Sequence, residues 1–125
     1  MFTYNIYITV DIDVNKPEEE KHEYLKDLAN DTILKFIWKV IKKNNIDTSD
    51  MNTFELYIAS IHTGSNGVGD GYVGGNYQAI DADDPAYIHF KMTMEYSDVV
   101  TIFDAIRNNK DFDFIDEMSI DRDWG

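Results

Sequence analysis

A chain of 125 residues with 43% hydrophobic and 14% aromatic side chains has the length of one domain and enough apolar surface for a core, which excludes an acidic disordered tail. With no cysteine, disulfide frameworks, thiolate catalysis and zinc-cysteine sites are excluded; with no signal-like start and no apolar run near the roughly 18 residues of a membrane span, a cytoplasmic protein is predicted. Charge is uneven: residues 1 to 43 hold seven Lys and eight acids, net -1, whereas 44 to 125 hold four basic and sixteen acidic side chains, net -12, a field that repels nucleic-acid phosphates and attracts basic protein surfaces.

Residues 2 to 13 alternate, with Phe2, Tyr4, Ile6, Ile8, Val10 and Ile12 on one side and Thr3, Asn5, Tyr7, Thr9, Asp11 and Asp13 on the other. Period two predicts a half-buried strand. Asn15, with Glu18 three residues later and Pro17 in the first turn, is a helix-start signature. Leu25, Leu28, Ala29, Ile33, Phe36, Ile37, Val40 and Ile41 then recur at helical spacing, Lys35, Lys39, Lys42 and Lys43 complement the far end of the dipole, and Asn44-Asn45 stops the helix. A second strand runs through Phe54, Leu56 and Ile58, with Glu55, Tyr57 and Ala59 facing the other way.

Six of the seven glycines follow, between Gly64 and Gly75, and order is predicted to return at Asn76 to Ile80. Asp81, Asp83, Asp84 and Pro85 make a turn. Ile88, Phe90, Met92, Met94 and Tyr96 then alternate with Tyr87, His89, Lys91, Thr93 and Glu95 in another strand. Ser97 is placed as the cap of a short helix carrying Val99, Val100, Ile102, Phe103 and Ile106 and ended by Asn108-Asn109; a last strand is predicted within 112 to 120. This order predicts a single α+β domain over 1-125, with a mostly antiparallel sheet of four to five strands, two helices on one face and a glycine-rich loop at 63-76. A ferredoxin-like arrangement with an added hairpin is the nearest common architecture.

The glycine loop is the first candidate site. Consecutive glycines let backbone N–H groups approach an anion, which would make Gly67, Gly69, Asp70, Gly71, Tyr72 and Tyr77 a ligand or nucleotide site. Yet no helix opens at the glycines, no Gly-Lys-Ser or Gly-Lys-Thr ends them, and Asp70 repels phosphate. A hairpin tip, or an arm whose Tyr72, Val73 and Tyr77 dock into a partner, fits the residues better.

The open sheet face is the second. If the even positions of the strands face the helices, Tyr7, Tyr57, Ala59, Ile61 and Tyr87 collect on the other side with Thr3, Asn5 and His89 around them, while His62 points to the helices. Exposed aromatics on a sheet can stack nucleic-acid bases, but without a basic rim this surface suits a protein partner or a second copy of the chain.

The acids are the third. Asp11 and Asp13 share a strand face, a spacing that suits a divalent cation, but no segment has the calcium-loop pattern, and no metal or cofactor is predicted. Asp111, Asp113, Asp116, Glu117, Asp121 and Asp123 surround Phe112, Phe114, Ile115, Met118, Ile120 and Trp124. Carboxylates held on a rigid body imitate rows of phosphates. His22, His62, His89 and Ser65 give no arrangement of acid, base and nucleophile, so no catalytic residue is assigned. The sequence therefore predicts a non-catalytic acidic protein that engages a basic, nucleic-acid-binding surface of a partner such as a nuclease, without binding nucleic acid or membrane itself. Inhibitors from phages and mobile elements, and immunity proteins, use this physical logic. The alternative is a small-ligand or nucleotide binder using the glycine loop.

Overall fold

The computed structural model describes residues 1–13, 15–50, 54–63 and 86–123. The chain begins with β1 (Phe2–Val10) and continues into a helical rod made of α1 (Glu18–Asp27), a π-helical turn (Leu28–Ile33) and α2 (Leu34–Lys43). Then come β2 (Glu55–His62), β3 (Ala86–Met94), α3 (Tyr96–Arg107) and β4 (Ile115–Arg122). The sheet order is β2-β3-β1-β4 with every neighbouring pair antiparallel. Interleaving two β-α-β units produces this order, because each helical crossover returns the chain parallel to its starting strand with one strand left between. The glycine-rich loop, the added hairpin predicted near it and Trp124 lie outside the described residues.

The π-helical turn has a cause in the sequence. Leu25, Ala29, Ile33, Ile37 and Ile41 are buried at strict four-residue intervals. Each such step overshoots a 3.6-residue turn by about 40°, so a regular helix would carry the later members off the core face. The i to i−5 bond from Leu34 N–H to Ala29 C=O widens one turn and restores the alignment.

At the end of the rod Asn45 adopts φ 53°, and the Asn45 and Ile46 N–H groups donate to the carbonyls of Lys42 and Ile41. This is a Schellman stop, in which asparagine tolerates the left-handed position and buried Ile46 packs back toward Ile41.

The helix starts differ from those read in the sequence. Pro17 occupies the cap of α1 without a side-chain bond, and Asn15 instead donates its N–H to Asp13 Oδ1 at 2.9 Å outside the helix. Glu95, not Ser97, is the cap of α3, its carbonyl accepting from Asp98 and Val99 N–H. Ser97 lies inside the first turn, where its carbonyl accepts from the Thr101 hydroxyl. Tyr96 consequently belongs to α3, and its ring meets Tyr4 at 5.4 Å.

One face of the sheet carries the core. Ile6, Ile8, Ile88, Phe90 and Met92 are fully buried beneath Leu25, Ile33 and Ile37 of the rod and Val99, Ile102 and Ile106 of α3. Each buried large side chain contributes about 1.5–3 kcal/mol.

Candidate functional site

The face of the sheet away from the helices is built by strand parity and one irregularity. Along β1, Thr3, Asn5, Tyr7 and Thr9 point there; along β3 their partners are Thr93, Lys91, His89 and Tyr87. In β2 the register jumps between Ile58 and Ser60, leaving Ala59 as an extra residue. That bulge reverses the parity of everything after it. Ser60 pairs with His89 and His62 with Tyr87 on the open face, while Ile61 pairs with Ile88 and is buried on the helix side. The predicted sides of Ile61 and His62 are thus exchanged, because strict alternation cannot register an inserted residue.

A chain of polar side chains crosses all four strands on this face. Asn5 Nδ2 of β1 donates to Asp121 Oδ1 of β4 at 2.9 Å. A carboxylate only accepts, so this bond orients the amide and leaves Asn5 Oδ1 to accept from His89 Nε2–H of β3 at 2.8 Å. His89 Nδ1 then faces the hydroxyl of Ser60 of β2 at 3.2 Å, accepting its proton when the imidazole is neutral. Burial of the ring, followed by the Lys91 ammonium, pushes the His89 pKa below its ordinary value, while the Asp121 and Asp123 carboxylates pull the other way.

Ring contacts and an ion pair surround this chain. Tyr7 stacks on His89 with centroids 4.3 Å apart, Tyr87 meets the edge of Tyr7 at 6.0 Å, and His62 lies tilted against Tyr87 at 5.0 Å. Lys91 reaches across β1 to Asp123, 2.9 Å between Nζ and Oδ2, and that hydrogen bond raises the pKa of the lysine. The Thr3 and Thr93 hydroxyls share a further bond of 2.7 Å.

The Ser60, His89, Asn5 and Asp121 series donates in one direction, from the Ser60 hydroxyl to the Asp121 carboxylate. Ser60 is only 5% exposed and Asn5 only 7%, so what the series does in the described structure is tie four strands together and leave each buried polar group on it paired.

The acidic segment is built differently. Between α3 and β4 the chain alternates apolar and acidic residues, and the apolar ones anchor it. Phe112 packs edge-on against Phe36 of α2 at 5.0 Å and lies 5.5 Å from Phe114, whose carbonyl accepts from Asp11 N–H. An Asx turn, Asp111 N–H to Asn109 Oδ1, fixes the entry. With Phe112, Phe114 and Ile115 turned to the core, Asp111, Asp113, Asp116 and Glu117 are all exposed. Among the described residues none of these four carboxylates is in an ion pair.

The residues singled out in the sequence therefore divide. Asp111, Asp113, Asp116 and Glu117 are each exposed along the turn and the start of β4. Asp121 and Asp123 are tied to Asn5 and Lys91 and brace the open face. Of the three tyrosines, only Tyr57 is exposed, at 44%; Tyr7 and Tyr87 are half-buried in the ring stack.

Gly67, Gly69, Asp70, Gly71, Tyr72 and Tyr77, the alternative ligand site, lie outside the described residues, as does Ser65. Sequence reasoning missed Ser60, Lys91 and Asn5 as partners in one network. The signal available was their regular two-residue spacing on paired strands, hidden at Ser60 by the bulge. No three His, Asp or Glu side chains converge as a metal-binding group among the described residues, and no helix among them is long and apolar enough to cross a membrane. No protein-family model matches the sequence, and no curated protein matches it significantly.

Proposed function

We propose that this chain is a non-catalytic binding protein whose acidic turn and β4 dock on a cationic, nucleic-acid-binding surface of a partner protein. The observation that supports this reading is the alternation at 111–117: aromatic and aliphatic side chains lock the segment to the core while Asp111, Asp113, Asp116 and Glu117 are held outward and unpaired among the described residues. Carboxylates fixed on a rigid body lose little freedom on docking, and their joint field speeds encounter with a cation-rich groove. Tyr57 adds an exposed ring on the same side of the sheet as Glu117.

The test uses the protein as bait for basic nucleases and other nucleic-acid-binding proteins. Retention should fall steeply with salt, competing DNA should displace the partner, and the double variant Asp113→Lys with Asp116→Lys should lose it. Capture that survives charge reversal, or that DNA leaves unchanged, would overturn the reading.

A further inference from the structure

Among the described residues β4 lies at the edge of the sheet, bonded only to β1. Asp123 N–H donates to Thr3 C=O, and the Thr9 hydroxyl meets both the N–H and the C=O of Glu117, so the odd-numbered residues aim their backbone groups at β1. Antiparallel alternation then aims those of Met118 and Ile120 outward, off the sheet. Neither residue has a further bond among the described residues. Side chains along the same strand sort by face: Glu117, Ser119 and Asp121 stand on the open face, while half-buried Met118 and Ile120 lean on the core.

We propose that β4 is a docking edge for an extended segment of a partner protein in which Lys or Arg alternates with apolar residues, added to the sheet as a further strand. This rests on the reading of the protein as a binder of cationic surfaces and specifies how the contact is made. Exposed edges are commonly guarded by charge. Here the guard is acidic, with Asp116, Glu117 and Asp121 all exposed, so pairing two copies of β4 would set carboxylates against carboxylates. A strand carrying cations opposite Glu117 and Asp121 turns that repulsion into attraction, and its intervening apolar side chains would extend the surface of Met118 and Ile120. Main-chain bonds supply affinity and the alternating side chains supply selectivity, as in other strand additions. Since Glu117 and Asp121 are separated by about 14 Å along the strand, the favoured partner cations are four residues apart.

The probe is a fluorescent peptide of sequence Val-Lys-Val-Thr-Val-Lys-Val, titrated with the full chain at low salt. Two isomers accompany it, one N-methylated at the two inner valines and one at the two lysines. In the proposed pairing the valine amides face β4, so methylation there should weaken binding by roughly tenfold or more, while methylation of the lysines leaves it nearly unchanged. Amide exchange should slow at Met118 and Ile120 when the unmodified peptide is bound. Equal binding of both isomers would overturn the strand addition and leave the charge reading standing. Absence of peptide binding, with a cationic protein still captured in a manner sensitive to Asp113→Lys and Asp116→Lys, would do the same. Loss of both would overturn both.

Discussion

The two faces of this sheet come from the same alternating strands but are held by different forces. On the helix side, Ile6, Ile88 and Phe90 are sealed from water by the rod and α3, and cohesion scales with apolar area. On the other side, Ser60, His89, Asn5 and Asp121 are joined by directional bonds whose value lies mainly in leaving no buried group unpaired. The first face tolerates changes of shape poorly. The second tolerates changes of polarity poorly.

Substitutions on the two faces should therefore differ in size and in kind. The largest loss is expected for Phe90→Ala, about 3–5 kcal/mol from a cavity beneath the helices, read from chemical denaturation. Asn5→Leu should cost about 1–3 kcal/mol, because the amide is nearly isosteric with the alkyl chain while His89 Nε2–H loses its acceptor. A negligible loss, with the shape of the side chain kept, would show that the open face is held by packing after all.

The pH dependence sharpens the contrast further. The folded pKa of His89 is depressed, so the folded state binds fewer protons than the unfolded chain as pH falls below about 6.5. The stability associated with neutral His89 is fully present above that value and is lost as pH falls through the folded pKa. His89→Gln, which keeps an amide N–H for Asn5, should flatten this part of the profile, and ring-proton titration by NMR should place the wild-type imidazole below the ordinary value. An imidazole titrating at or above 6.5 would break the assignment.

Smaller still is Lys91→Ala, expected to cost about 0.2–1 kcal/mol, since its bridge to Asp123 is partly exposed and screened. Smallest is the pair Asp113→Lys and Asp116→Lys, within about 0.5 kcal/mol of the parent in stability while partner retention is lost. That separation of binding from stability is what a surface built for contact should show.

Much of the architecture was legible in the chain. Period-two alternation on β1 and β3 located both strands and sorted their faces, and the apolar spacing from Leu25 to Ile41 located the rod, down to its stop at Asn44-Asn45. The interleaving of Phe112 and Phe114 with acids was equally readable. What escaped was any feature set by one residue too many. The extra residue at Ala59 exchanged the sides of Ile61 and His62, and strict four-residue spacing produced a π-helical turn where a uniform helix was expected.

The sequence by itself determined which segments form strands and helices, which faces are apolar and where the negative charge lies, because these depend on neighbours a few residues apart. Only the tertiary structure decided that β4 is an edge among the described strands, that Ser60, His89, Asn5 and Asp121 meet, and that Asp121 and Asp123 brace the sheet while Asp111, Asp113, Asp116 and Glu117 are exposed. Those outcomes depend on strand order and register. Both are fixed by pairings between residues distant in the chain, Asn5 with Asp121 among them, that no local pattern encodes.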